Sequence, residues 1–136
     1  MDLMKSLEIS AAAMRAQGTR LRVISENLAN ADSTAETPDG LPYRRRVVSF
    51  RSLFDQALGA ETVRVGGIVP DPSQFERRYE PGHPSADAEG YVLYPNIDVL
   101  VEMMDMREAQ RSYEANLNAI EVSRSMVTRT IELLRV

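Results

Sequence analysis

A chain of 136 residues has room for one modest domain or one elongated helical module. Aromatic residues make up only 6% of it and tryptophan is absent, which excludes a core built mainly on large rings. The formal charge of −4 is spread along the chain, so no strongly basic face invites nucleic acid, and without cysteine neither a disulfide nor a thiolate metal site can form.

The first predicted element runs from Asp2 to Ala31, with no proline and one glycine, Gly18. Leu3, Leu7, Ser10, Met14, Gln17, Leu21, Ile24 and Leu28 recur at alternating steps of three and four, the spacing that puts one stripe of a helix against a partner. With the loop that follows it, residues 1–34 form the first expected domain segment. No run approaches the roughly 18 apolar residues of a membrane span. The A-x-A-like stretch at Ser10 to Ala13 follows Asp2, Lys5 and Glu8, not an apolar signal core. By these rules alone the chain reads as cytosolic.

Residues 35–97 are different in kind. All seven prolines and six of the seven glycines lie here, between Pro38 and Pro95. Tyr43–Phe50, Glu61–Val69 and Tyr91–Tyr94 have the β-branched and aromatic content of strands. Ser52–Leu58 is predicted to add a helical turn or two, and Gly66-Gly67 a bulge or tight turn. The segment is expected to form a small β-containing insertion.

The last element, residues 98–136, carries the most regular pattern. Val99, Met103, Met106, Gln110, Tyr113, Leu117, Ile120, Arg124, Val127, Ile131 and Leu134 follow the same stepping, and no proline or glycine interrupts Ile97–Val136. At 1.5 Å per residue this helix would be about 58 Å long, more than a domain of this size can cover by itself. The fold class expected is therefore mainly α. Two long terminal helices pair as a coiled-coil-like axial core, with the small β-containing, Pro/Gly-rich insertion between them. The predicted seam includes Leu7, Met14, Leu21, Leu28, Val99, Met106, Tyr113, Leu117, Ile120, Val127, Ile131 and Leu134. Gln110 and Arg124 interrupt its apolar character, which suits a role in register or contact with a neighbouring subunit.

Candidates for chemistry are few. His83, the only histidine, sits in Pro81-Gly82-His83-Pro84 with Asp87 and Glu89 nearby. The spacing is poor for zinc, and a rigid turn is the plainer reading. A hydrolase using His83 and Asp87 stays open as a rival. The triplet Arg44-Arg45-Arg46 suggests phosphate binding, but on a strand only Arg44 and Arg46 share a face, and nearby acids dilute the charge. Met103, Met104 and Met106 suit irregular apolar packing. No cofactor or metal is expected, and a soluble coiled-coil adaptor binding a partner helix is the second rival.

Several segments taken together resemble the bacterial flagellar basal-body rod proteins. They are the opening Met1-Asp2-Leu3-Met4-Lys5-Ser6-Leu7, the helix-ending Asn27-Leu28-Ala29-Asn30-Ala31-Asp32-Ser33-Thr34, and Pro42-Tyr43-Arg44-Arg45. The block Tyr79 to Asp87 continues through Glu89-Gly90-Tyr91-Val92 and Tyr94-Pro95-Asn96 to Arg111-Ser112-Tyr113-Glu114-Ala115-Asn116. They appear in family order over nearly the whole chain, and the length is similar to that of the proximal rod members. The resemblance implies a structural subunit and no enzyme, stacked helically with itself and other rod proteins around an export channel. It implies contact with the membrane-ring and ring–rod junction proteins, and passage through the flagellar type III export apparatus without a cleaved signal peptide. The location is then the rod in the periplasmic space, replacing the cytosolic reading. Asn27, Asn30, Arg44, Arg46 and His83 join Gln110 and Arg124 as candidate inter-subunit contacts.

Overall fold

The structure, a computed structural model, describes residues 2–135. The elements in chain order are α1 (Leu3–Ala29), β1 (Arg46–Asp55), β2 (Ala60–Pro70), β3 (Glu76–Tyr79), β4 (Tyr91–Tyr94) and α2 (Val99–Leu133). β1 pairs with β2, and β3 with β4, in two separate two-stranded sheets. The expectation of a mainly α fold with a small β insertion is overturned. Strands of 10, 11, 4 and 4 residues form two antiparallel sheets beside helices of 27 and 35 residues. The fold is α+β.

Local chemistry explains the bounds. Asp2 caps α1, its Oδ1 accepting the Met4 N–H at 3.1 Å. Asp98 does the same for Leu100 at the start of α2, at 3.0 Å. Ser52–Leu58 does not become helical. Arg51 to Phe54 extends β1, and Asp55 then folds the chain back, its Oδ1 accepting the N–H groups of Ala57 and Leu58 at 3.0 and 3.2 Å. Gly59 completes the turn at φ +66°, where a side chain would be strained. Gly66 and Gly67 lie inside β2. β3, rich in charge, is held by pairing with β4, with Glu76 opposite Tyr94 and Tyr79 opposite Tyr91.

The chain divides into two compact units. The first contains residues 1–21, 48–67 and 107–136, and the second contains residues 22–47 and 68–106. In the first unit the buried residues are Ser10, Ala12, Ala16, Thr62, Ala109 and Ser123, none larger than threonine. In the second they include Val23, Ile24, Asn27, Val92, Tyr94, Pro95 and Glu102.

Candidate assembly surface

Within the second unit, the end of α1 and the start of α2 are held by a buried polar network. Asn27, 1% exposed, uses its whole amide. Its Nδ2 donates to the Arg46 carbonyl at 2.8 Å and to Glu102 Oε2 at 3.4 Å. Its Oδ1 accepts the Arg46 N–H at 3.1 Å and the Tyr43 hydroxyl at 3.2 Å. Asn30 caps the end of α1, donating to the Glu26 carbonyl at 2.8 Å and accepting the Ser33 hydroxyl at 3.0 Å. The two asparagines of the Asn27-Leu28-Ala29-Asn30 motif therefore end the helix and fasten the chain that leads into β1.

Arg45 sits at the centre of the network. Its guanidinium donates to the fully buried Glu102, to Asp71 at 3.0 Å and to Asp105 at 3.4 Å, and its N–H donates to Asn96 Oδ1 at 2.8 Å. Burial by itself would lower the pKa of this guanidinium, but bonding to Glu102 and Asp71 outweighs it and holds the value above its ordinary level. The Ser73 N–H, donating to Asp71 at 2.8 Å, is the main influence holding that carboxyl below its usual range. Burial opposes this, while the Ser73 hydroxyl and Arg45 add to it. A buried acid is tolerable only with such partners, because an unpaired charge in the interior is strongly destabilising. Arg44 donates to the carbonyls of Asp71 and Ser73 at 2.7 and 2.8 Å and stacks over Phe75 at 4.1 Å. Arg46 pairs with Glu26 at 3.0 Å. All three arginines of the triplet thus have partners inside the second unit.

His83 is placed in the turn between β3 and β4. Its Nδ1 accepts the Ser85 N–H at 3.1 Å and lies 2.8 Å from the Ser85 hydroxyl, while Nε2 faces Thr34 Oγ1 at 3.4 Å. Asp87 gives its Oδ1 to the N–H groups of Glu89 and Tyr91, both at 2.9 Å. The Tyr91 N–H is the largest influence holding the Asp87 carboxyl below its usual range. The histidine and this acid therefore serve the turn separately, and the acid–base pair of the hydrolase reading is not formed. Gly90 closes the turn at φ +88°, and a Cβ there would stand 2.9 Å from the Tyr79 ring. Tyr94 donates to both Glu80 carboxylate oxygens at 2.9 Å beneath the Arg78 guanidinium, 4.1 Å from the ring centre. The hydrogen bond to Glu80, with burial, raises the Tyr94 pKa.

The first unit has a different surface. Ala11, Met14, Arg15 and Gly18 of α1 and Tyr113 and Ile120 of α2 line an open groove of about 420 Å³. Arg20 pairs with Glu108 at 3.6 Å. Along α2 as a whole, the covered or partly covered positions are 102, 106, 109, 113, 116, 120, 123 and 127, with Asp105 and Ser112 beside them. Of the predicted seam, Met106, Tyr113, Ile120 and Val127 share that face, and Leu7, Met14, Leu21 and Leu28 on α1 are partly covered. Val99, Leu117, Ile131 and Leu134 are exposed, as are Gln110 and Arg124. So are Val122, Met126 and Leu133 on α2, Phe50, Leu53 and Phe54 on β1, and Val63 on β2. A two-stranded ribbon with this much open apolar surface is marginal in water without further cover. Sequence reasoning missed Glu102, whose signal was an acid placed among Val101, Met103 and Met104.

Residues 88–133 match the family model of the flagellar basal body rod FlgEFG protein C-terminal region. The flagellar basal-body rod protein FlgC of Agrobacterium fabrum is 48% identical over 94% of this chain and 92% of its own length. Proteins of that name from Salmonella typhimurium and Bacillus subtilis are 42% and 40% identical, each over 98% of this chain and 98% and 99% of their own lengths. No helix among the described residues is long and apolar enough to cross a membrane. With identity at this level along nearly its whole length, the chain belongs to the FlgC family of flagellar basal-body rod proteins.

Proposed function

We propose that the terminal helices carry this subunit into the rod, with the second unit as a preformed piece and the first completed by its neighbours. The chain is a structural subunit of the flagellar basal body and not an enzyme. Its assembly with other rod components, helically and around an export channel, follows the family reading. So do export without a cleaved signal peptide, residence in the periplasmic part of the rod, and contact with the ring–rod junction. One observation carries the proposal. The first unit buries only small side chains while large apolar ones on α2 and β1 stay open to solvent. An isolated helix gains most of its stability from packing an apolar face, so helix so poorly covered is expected to fray in the monomer and order on assembly. That delay also keeps subunits from polymerising before export. Gln110 and Arg124, exposed on α2, are positioned to meet neighbours.

Motility and recovery in purified basal bodies test this. Leu117→Asp, at a site 39% exposed, should leave the monomer intact yet block incorporation. His83→Ala should cost much less, because its contacts are local to one turn. The reverse order of severity, or a monomer that is fully helical and melts sharply at low concentration by circular dichroism, would count against the proposal.

A further inference from the structure

Every exposed position of α1 falls on one side of the helix. These positions are Met4, Glu8, Arg15, Arg22, Ser25 and Ala29. With the partly covered Ala11 and Gly18 they step by four and three residues throughout, the spacing of a second seam. Charged and small residues alternate along it from Glu8 to Ser25. A Cβ built on Gly18 meets nothing within 4 Å, so no neighbour within the chain accounts for the poorest helix former after proline at this place. Arg15 has no ion pair among the described residues, and Arg22 pairs only with Glu26, one turn along the same helix.

α2 carries the counterpart. Gln110, Glu114, Leu117, Glu121, Arg124 and Thr128 are all exposed and step by the same four and three. Glu114 and Glu121 have no ion pair among the described residues, and they lie one heptad apart, about 10.5 Å along the helix, as Arg15 and Arg22 do. Laid antiparallel, the two series interlock residue by residue. Arg15 meets Glu121 and Arg22 meets Glu114, and between these pairs Gly18 meets Leu117. To either side Ala11 meets Arg124 and Ser25 meets Gln110, so each small residue of α1 faces a longer one of α2. Arg124 then stands between Glu8 and Arg15, with Glu121 one turn away on its own helix. No like charges face each other directly.

We propose that the outward face of α1, from Glu8 to Ser25, packs antiparallel on the Gln110–Thr128 face of α2 in a second copy of this chain. Arg15 then pairs with Glu121, Arg22 with Glu114, and Leu117 fills the gap at Gly18. The proposal rests on the reading of the chain as a rod subunit. Its direction follows from the fold. The first unit holds the first part of α1 with the later part of α2, and the second holds the end of α1 with the start of α2, so the helices of one chain run in opposite senses. Copies repeated in one sense along a row bring α1 of one antiparallel to α2 of the next. A parallel match would set Arg15 against Glu114, but it turns one copy end for end and closes a pair. The antiparallel contact joins two different surfaces, so it is heterologous and extends a row of subunits.

Charge reversal tests the register. Basal bodies are purified from cells whose only copy of the chain is wild type or a variant, and the amount recovered is compared. Arg15 is exposed, so Arg15→Glu should leave the monomer melting curve in place. Its recovery in basal bodies should nevertheless fall at least about tenfold, a loss of about 1.4 kcal/mol of contact. Glu121→Arg should do the same, and the two changes together should restore recovery. Glu114→Arg added to Arg15→Glu should not. The chain contains no cysteine, which makes cross-linking clean. Oxidised basal bodies carrying Ala11→Cys with Arg124→Cys should give a ladder of covalent multimers that neither single change gives. Wild-type recovery of Arg15→Glu, rescue by Glu114→Arg in place of Glu121→Arg, or a cross-link from Ala11→Cys to a different basal-body protein overturns the contact and leaves the rod reading standing. Absence of the wild-type chain itself from basal bodies overturns both.

Discussion

The two units are stabilised by opposite means. The second has a buried charged network, Arg45 with Glu102, Asp71 and Asp105, braced by Asn27 and Asn96, and beside it Val23, Val92 and Tyr94. The side chains of Asn27, Arg45 and Glu102 find their partners within the unit, and such a network specifies one arrangement because a half-satisfied one is costly. In the first unit the buried set is alanine, serine and threonine, and larger side chains are at most partly covered. Small residues let two helices approach closely but remove little apolar area from water, and removed area is what drives folding. A subunit built this way has one part that is complete alone and one part that is completed by other molecules.

The sharpest way to break that comparison is to remove a single charge from the second unit. Glu102→Ala leaves Arg45 without its buried partner and Asn27 Nδ2 with one acceptor fewer. Removing one member of a buried ion pair costs about 3–5 kcal/mol. Urea unfolding followed by near-ultraviolet tyrosine dichroism should show that loss, with Glu102→Gln less severe. A cost below about 1 kcal/mol, the size of an ordinary surface hydrogen bond, would mean the network does not hold the unit together.

Acid offers a milder probe. Asp71 and Asp87 both have carboxyls held below their ordinary range in the folded chain. Such groups stabilise the fold above the unfolded value, about 3.9, and that contribution is lost as pH falls through the lower folded values. The second unit should therefore lose stability progressively below about pH 4. Asp71→Asn keeps an acceptor for the Ser73 N–H but carries no charge. The variant should be less stable than wild type at neutral pH and should lose less on acidification. Parallel acid limbs for the two proteins would remove Asp71 from the account.

Much of this was legible in the residues, and the misses have causes. The spacing and absence of breakers placed the two helices within a few residues of Leu3–Ala29 and Val99–Leu133. Tyr91–Tyr94 was found as a strand because its residues are β-formers. β3 was missed because Glu76-Arg77-Arg78-Tyr79 has no apolar alternation, and only pairing with β4 makes it a strand. The fold class failed because Ser52–Leu58 was read by local propensity, whereas pairing with β2 keeps Arg51–Phe54 extended. On α2 the stepping located Met106, Tyr113, Ile120 and Val127 on the covered face. Between them the covered positions are Ala109, Asn116 and Ser123, each one residue before the Gln110, Leu117 and Arg124 that the heptad selects. A count of apolar residues rewards size, while the contact between these helices rewards smallness. Glu102 was invisible because burial of an acid depends on Arg45, 57 residues away in sequence.

The smallest effect expected on the isolated chain is the most telling about the first unit. Ile131 is 58% exposed near the C-terminal end of α2, so Ile131→Ser removes little apolar area that folding had covered. Exposed substitutions of this kind stay within about 0.5 kcal/mol, and the monomer melting curve should hardly move. Incorporation into basal bodies should nevertheless fall, because the lost area is area that only a neighbour covers. A variant that is neutral in both measurements would make the exposed apolar face incidental. One that unfolds the monomer would show that the first unit already uses this residue for itself. Only the combination of an unchanged monomer and impaired assembly fits a unit whose missing core belongs to the rod.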